Sequence, residues 1–370
     1  MRISTIYRLG VKELWGLARD PALMILIAYA FTVSIYVASK AMPETLNRAS
    51  IAIVDEDRSP LSARLAHAFY PPFFTPPVFI GQHEMDSRMD AGLDTFALNI
   101  PPNFQRDLLA GRSPSLQLNI DATRITQAFT GGGYIQSIVT GEIDEFLEGH
   151  RAQAALPVEL VLRTRFNQEL NKGWFGAIHE IVDAITMLAI ILSGAALIRE
   201  REHGTIEHLL AMPVAPVEIM LAKIWAMVLV VFVAAAFSLL VVVQGLLNVP
   251  IQGSIPLFMA GMALHLFAAT CMGIFLATIA GSMPQFGLLL MLVLLPLQML
   301  SGGMTPRESM PEMIQMLMLA APNTHFVMLA QSVLFRGAGL AAAWPQLLAL
   351  LAIGAALFFL ALRRFRRFLA

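Results

Sequence analysis

Six stretches of this chain are apolar over close to the length of helix that crosses a lipid bilayer: residues 21–39, 174–198, 217–246, 255–280, 285–300 and 344–362. A hydrocarbon core of about 30 Å needs about 20 helical residues. Lipid offers an open backbone no hydrogen-bond partner, so stretches of this kind are constrained to be helices. The expected fold is a mainly α membrane protein with six transmembrane helices. Only 14% of residues are charged, against roughly 25% in a soluble domain. The deficit is uneven, because residues 40–173 read as an ordinary soluble domain inserted between spans one and two. A net charge of -1 gives no footing for nucleic acid. The single cysteine, Cys271, sits in an apolar run, which rules out an intrachain disulfide framework and a CxxC metal pair.

Lysine and arginine in short loops set orientation. Arg2, Arg8, Lys12 and Arg19 precede span one. Arg199, Arg201 and Lys223 flank the loop between spans two and three. Arg363, Arg364, Arg366 and Arg367 follow span six. The opposite loops hold only Arg307 and Arg336. Both termini are therefore expected in the cytoplasm, and residues 40–173 in the periplasm. Residues 1–20 place Ile6, Leu9, Leu14 and Leu17 among Arg8, Lys12 and Arg19, the pattern of a basic amphipathic helix lying on the inner surface. The run 21–39 lacks a small-x-small cleavage site and reads as a retained anchor. Asp20 is placed to cap it, with Pro21 at its first position.

In residues 40–173, strand-like runs at 50–54, 77–80, 95–100, 116–120 and 158–166 alternate with helical runs at 60–69, 84–92, 103–110 and 125–149. That alternation predicts an α/β extracytoplasmic domain with partly parallel strands. The Pro- and Phe-rich run 70–77 is expected as an exposed, stiff loop.

Polar residues within the apolar half are few. The apolar run 184–198 reaches only about 22 Å as a helix, so span two must extend back through His179, Glu180 and Asp183. These share one helical side. They mark either an outer vestibule or exit gate, or a helix end wetted by headgroups. His265, mid-span, is expected to bond a backbone carbonyl. Pro296 is expected to kink or end span five, and with Ser301, Gly302 and Gly303 it suggests a hinge. Residues 301–343 hold an apolar patch too short to cross, which fits a re-entrant or interfacial helical pair. The 21 methionines are read mainly as lipid-facing filler.

The loop 199–216 reads RERE-HGTIEHLLAMPVAP. Gly204 breaks the helix that continues from span two. Thr205 can cap a new one, Ile206, Leu209 and Leu210 give it an apolar face, and Pro213 and Pro216 stop it. This hairpin resembles the coupling helix of type-2 ABC transporter permeases, with Glu200, Arg201, Glu202, Gly204, Thr205, Glu207, Leu209, Leu210 and Pro213 in the typical pattern, followed by Lys223. A second run, Ser301-Gly302-Gly303, Pro306, Met310-Pro311 and Pro322-Asn323-Thr324, is similar to the family's segment of short extracytoplasmic helices after span five. The resemblance covers essentially the whole chain, residues 96–104 included. It is nearest to the bacterial inner-membrane, YhhJ-like subfamily with a large periplasmic domain between spans one and two.

The resemblance implies the type-2 ABC exporter fold and two permease subunits, identical or paralogous. It implies two cytoplasmic ATPase partners, and an outward route through a periplasmic membrane-fusion adaptor and an outer-membrane channel. The cargo would be hydrophobic or amphipathic, drug-like molecules. No G-x-x-x-x-G-K-[ST] loop occurs, so no cofactor is expected on this chain, with ATP and Mg held by the ATPase subunit. No HExxH motif supports an intramembrane enzyme, since His179-Glu180 continues as Ile-Val-Asp. A membrane-anchored periplasmic sensor or scaffold without transport is the remaining alternative.

Overall fold

The computed structural model describes residues 2–41, 48–121, 125–148, 172–204, 213–303, 305 and 307–369. The chain divides into two compact units, Met1–Met42 with Thr164–Ala370, and Pro43–Arg163. The first holds six helices long and apolar enough to cross a membrane: Pro21–Lys40, Gly173–Glu202, Pro216–Leu246, Ile255–Ile279, Met283–Leu300 and Leu340–Arg367, spans one to six. Asp20 caps span one by accepting from the Leu23 amide at 3.2 Å, with Pro21 at the first turn. Span five continues through Pro296 to Leu300 rather than ending there.

Span two is the centre of this unit, with 89% of its apolar window buried, and span four follows at 72%. Spans one, five and six are only 28%, 17% and 22% buried. Their apolar residues therefore face lipid or a partner rather than this chain's own core. Between spans five and six, the helices Glu312–Met318 and Pro322–Phe335 meet at a 92° bend. A bend that sharp makes this a broken or re-entrant pair rather than a straight crossing.

The loop ends cluster in two places. At one, Arg201 donates to the Ala280 carbonyl at 3.1 Å and Glu202 accepts from the Met283 amide at 2.9 Å. At the other, the Gln252 amide donates to the Leu334 carbonyl at 2.9 Å, and Phe175 stacks on Phe335 at 4.2 Å. The helix Ile3–Ala18, here the leader helix, packs on span three at the first of these ends. Trp225 donates its indole N–H to the Ile6 carbonyl at 3.1 Å and stacks on Tyr7 at 5.9 Å. Gly10 permits that approach, since a Cβ there would stand 2.2 Å from the Trp225 ring.

The second unit carries a four-stranded sheet in the order β2-β1-β3-β4, with β1 Ile51–Asp55, β2 Val78–Phe79, β3 Phe96–Ile100 and β4 Gln117–Ile120. β1 is parallel to β2 and β3, and β4 closes one edge antiparallel to β3. The two-residue period of a strand sorts its faces. Ile51, Ile53, Phe96, Leu98 and Ile100 pack with Leu61, Leu65 and Phe104. Ala52, Val54 and Ala97 form a thinner core with Met85. The strand expected at 158–166 lies outside the described residues.

One expectation fails here. The Pro- and Phe-rich run is not wholly an exposed loop, because Phe74 is buried and packs edge-to-face on Phe69 and Phe96 at 5.1 and 6.3 Å. Its backbone is tied to Ala49, whose amide donates to the Phe73 carbonyl and whose carbonyl accepts from the Thr75 amide. That bridge turns one aromatic inward while Tyr70 stays exposed.

Candidate functional site

The last turn of span two is where charge concentrates. An α-helix advances 100° per residue, so four consecutive side chains point in four directions. Arg199, Glu200, Arg201 and Glu202 each reach a different neighbour. Arg199 pairs with Asp20 at the start of span one, at 2.6 Å. Glu200 meets Lys223 of span three at 2.7 Å and Lys12 of the leader helix at 3.4 Å. Arg201 holds the end of span four, and Glu202 the start of span five. One helix end thus touches the leader and four other spans.

Lys223 is 1% exposed and has two carboxylate partners, Glu200 and, at 2.9 Å, Glu13 of the leader. A lone ammonium buried at that depth would be strongly disfavoured, and paired carboxylates offset the desolvation. Burial holds the Glu13 carboxyl above the usual carboxylate range, against the opposing pull of Lys223. Glu218 fixes the start of span three by accepting from the Ala215 and Arg2 amides at 3.0 and 2.5 Å.

Beyond Glu202, Gly204 turns the chain with φ +67°, a left-handed conformation that glycine adopts without steric cost. Pro213 is exposed where the chain returns. Thr205, Glu207, Leu209 and Leu210 lie outside the described residues.

At the other end of span two, the structure brings three sequence-selected groups into contact. Glu180 accepts a hydrogen bond from Ser34 of span one, within the π-helical turn Ala30–Ser34. His179 Nε2 lies 3.3 Å from Asp183 Oδ2 without hydrogen-bond geometry, and Asp183 Oδ1 is buried with no partner among the described residues. Gly303 packs on the His179 ring so closely that a Cβ there would lie 1.9 Å from Cε1. Gly302 has φ +97° and its carbonyl accepts from Gln331 at 3.2 Å. Ser301 is buried, its hydroxyl donating to the Gln298 carbonyl at 3.3 Å. Ser301, Gly302 and Gly303 form one wall of a cavity of about 550 Å³, whereas Pro296 is not among its lining residues.

Between these ends lies a polar bridge that sequence reasoning missed. The run 184–198 contains Thr186, whose hydroxyl hydrogen-bonds His265 Nε2 at 2.9 Å and Asn323 Oδ1 at 2.8 Å. Asn323 in turn donates to the Leu297 carbonyl at 3.1 Å. His265 thus meets a threonine hydroxyl through Nε2, and it stacks on Phe326 at 4.3 Å. Spans two, four and five and the second helix of the bent pair are joined by this bridge. Among the described residues, no group of three or more His, Cys, Asp or Glu could hold a metal ion.

The fold and these sites define a multi-pass membrane protein whose central helix is wired at one end to nearly every neighbour. Residues 21–363 match the family described as ABC-2 family transporter protein. The chain is 58% identical to the inner membrane transport permease YhhJ of Escherichia coli K12, over 99% of this chain and 98% of that protein. It is 27% identical to the probable multidrug ABC transporter permease YbhR of the same organism over 99% and 98%, and 24% identical to YbhS, of the same description, over 89% and 88%. The chain belongs to the ABC-2 family of transporter permeases. It is a permease subunit, and the ATPase that drives it is a separate subunit.

Proposed function

We propose that this chain is the membrane-spanning subunit of an ATP-driven exporter that moves hydrophobic or amphipathic, drug-like molecules outward across the bacterial inner membrane. The observation that carries this reading is the hub at Arg199–Glu202, whose four side chains tie the root of the 199–216 hairpin to the leader and to spans one, three, four and five. A tilt imposed on the hairpin by an ATPase is then felt by the bundle at once, with no long lever required. Leu209 and Leu210 anchor in the ATPase, and Glu200, Glu202, Glu207 and the Gly204-Thr205 break set the fit, with Pro213 ending the docking helix. ATP and Mg stay with the ATPase.

Both termini and the hairpin are cytoplasmic, and residues 40–173 are periplasmic. The clustering of basic residues beside the leader, the hairpin and the tail supports this orientation. A second permease subunit, the same chain or a paralogue, covers the lightly buried spans, and a periplasmic adaptor with an outer-membrane channel extends the path. Two relatives described as probable multidrug permeases support the cargo class. His179, Glu180, Asp183 and the Ser301–Gly303 turn, with Pro296 behind it, form the outward gate.

Copurification tests the reading. Leu209→Asp with Leu210→Asp releases the ATPase from a complex that wild-type chain retains. Persistence of the complex in the double variant removes the hairpin assignment, and outward dye movement without any ATPase removes the exporter.

A further inference from the structure

At the end of the bundle away from the leader helix, the cavity of about 550 Å³ opens between the turn after span five, the bent helix pair and the start of span six. Arg307, Arg336, Gln331, Ser332 and Gln346 line it with Ser301, and no aspartate or glutamate stands among the described lining residues. Arg307 is held loosely for a guanidinium. Nη1 contacts the Met328 sulfur at 3.2 Å, Nη2 donates to the Gln315 carbonyl at 3.4 Å, and Nε is buried without a partner among the described residues. A guanidinium has five donors and its strong partners are carboxylate and phosphate. Two arginines facing one enclosure without a carboxylate among its described lining residues favour an anion there.

The volume lies in the range of small-molecule sites, about 300–1,000 Å³, and is larger than an inorganic ion needs. Apolar surface also runs away from it. Met313, Met316 and Leu317 are exposed on the helix Glu312–Met318. Arg307 reaches the Gln315 carbonyl of that same helix, so the cationic seat lies beside an exposed apolar element.

We propose that this cavity binds the phosphate group of an anionic amphiphile taken from the bilayer, with its hydrocarbon lying along the exposed Met313, Met316 and Leu317. The site is independent of the direction of transport and of the ATPase contact, so it stands or falls apart from the exporter reading.

Native mass spectrometry of the purified full chain, titrated with phosphatidylglycerol, phosphatidylcholine or inorganic phosphate, tests it. Wild-type protein retains phosphatidylglycerol roughly tenfold or more above phosphatidylcholine, the scale of two cation–headgroup contacts. Arg307→Gln with Arg336→Gln abolishes the preference. Arg336→Gln alone, at an exposed position, reduces it while the protein remains folded, and Arg363→Gln with Arg364→Gln leaves it intact. A preference that survives loss of both cavity arginines overturns the proposal. So does equal retention of the two lipids, or inorganic phosphate held as tightly as phosphatidylglycerol, which would mark a site for free ions.

Discussion

Lys223 is the residue on which the leader's attachment depends most. It lies 2.9 Å from Glu13 and 2.7 Å from Glu200, and water barely reaches it. Removing one partner of a buried ion cluster leaves the others charged and desolvated, a loss of about 3–5 kcal/mol. Lys223→Ala is expected to lower stability by that amount in equilibrium unfolding of the purified protein. Lys223→Met with Glu13→Gln recovers part of it, because one orphaned carboxylate is gone. Gly303 is the counterpart at the other end. Its Cα hydrogen faces the His179 ring where a methyl would overlap it. Gly303→Ala is expected to cut transport severalfold while the ATPase still copurifies, and Gly303→Ala with His179→Ala to restore much of it. Transport by Gly303→Ala at the wild-type rate would show that the contact has no part in the gate.

At the scale of elements, the leader helix is the piece whose role the structure extends most. It is held by Trp225, by Lys223 and, through its own Lys12, by Glu200, and its Ile3, Tyr7 and Trp15 remain exposed. Trp225→Ala removes the stack on Tyr7 and the hydrogen bond to Ile6. Trypsin is then expected to cut at Arg8 and Lys12 in protein whose wild-type form resists, as gel fragments will report.

The spans were legible in the sequence because lipid leaves a helix no alternative, and a run of apolar residues suffices to announce one. The hairpin root was legible too, since RERE followed by His-Gly-Thr is a local pattern. Its partners were not. Glu13 and Lys12 stand 210 and 188 residues from Lys223 and Glu200, and nothing local announces such a pairing. Thr186 was hidden by its apolar company, although an isolated hydroxyl in a buried span always needs a partner. Phe74 was hidden by its prolines. They describe the backbone of a loop correctly and say nothing of where an aromatic side chain between them turns.

At the scale of the whole molecule, the spans divide into a buried core of two and four and a lightly buried set of one, five and six. The core spans share the Thr186–His265 contact, and span two alone carries both the hub at one end and the His179–Gly303 contact at the other. Its helix is continuous from Lys172 to Glu202. A displacement at Glu202 therefore reaches His179 through one rigid element, and the polar bridge to Asn323 takes it to the bent pair. Two discrete arrangements of such an element are what coupling between distant sites requires.

The most direct measurement of this coupling is the ratio of cargo moved to ATP hydrolysed by the reconstituted permease–ATPase complex carrying Arg201→Ala. This substitution frees the Ala280 carbonyl from the end of span two and leaves Glu202, Leu209 and Leu210 untouched. The complex is expected to assemble and hydrolyse ATP, with cargo moved per ATP falling about tenfold, as for a coupling loss of about 1–2 kcal/mol. An unchanged ratio would mean that motion does not pass through the hub, and would contradict the account.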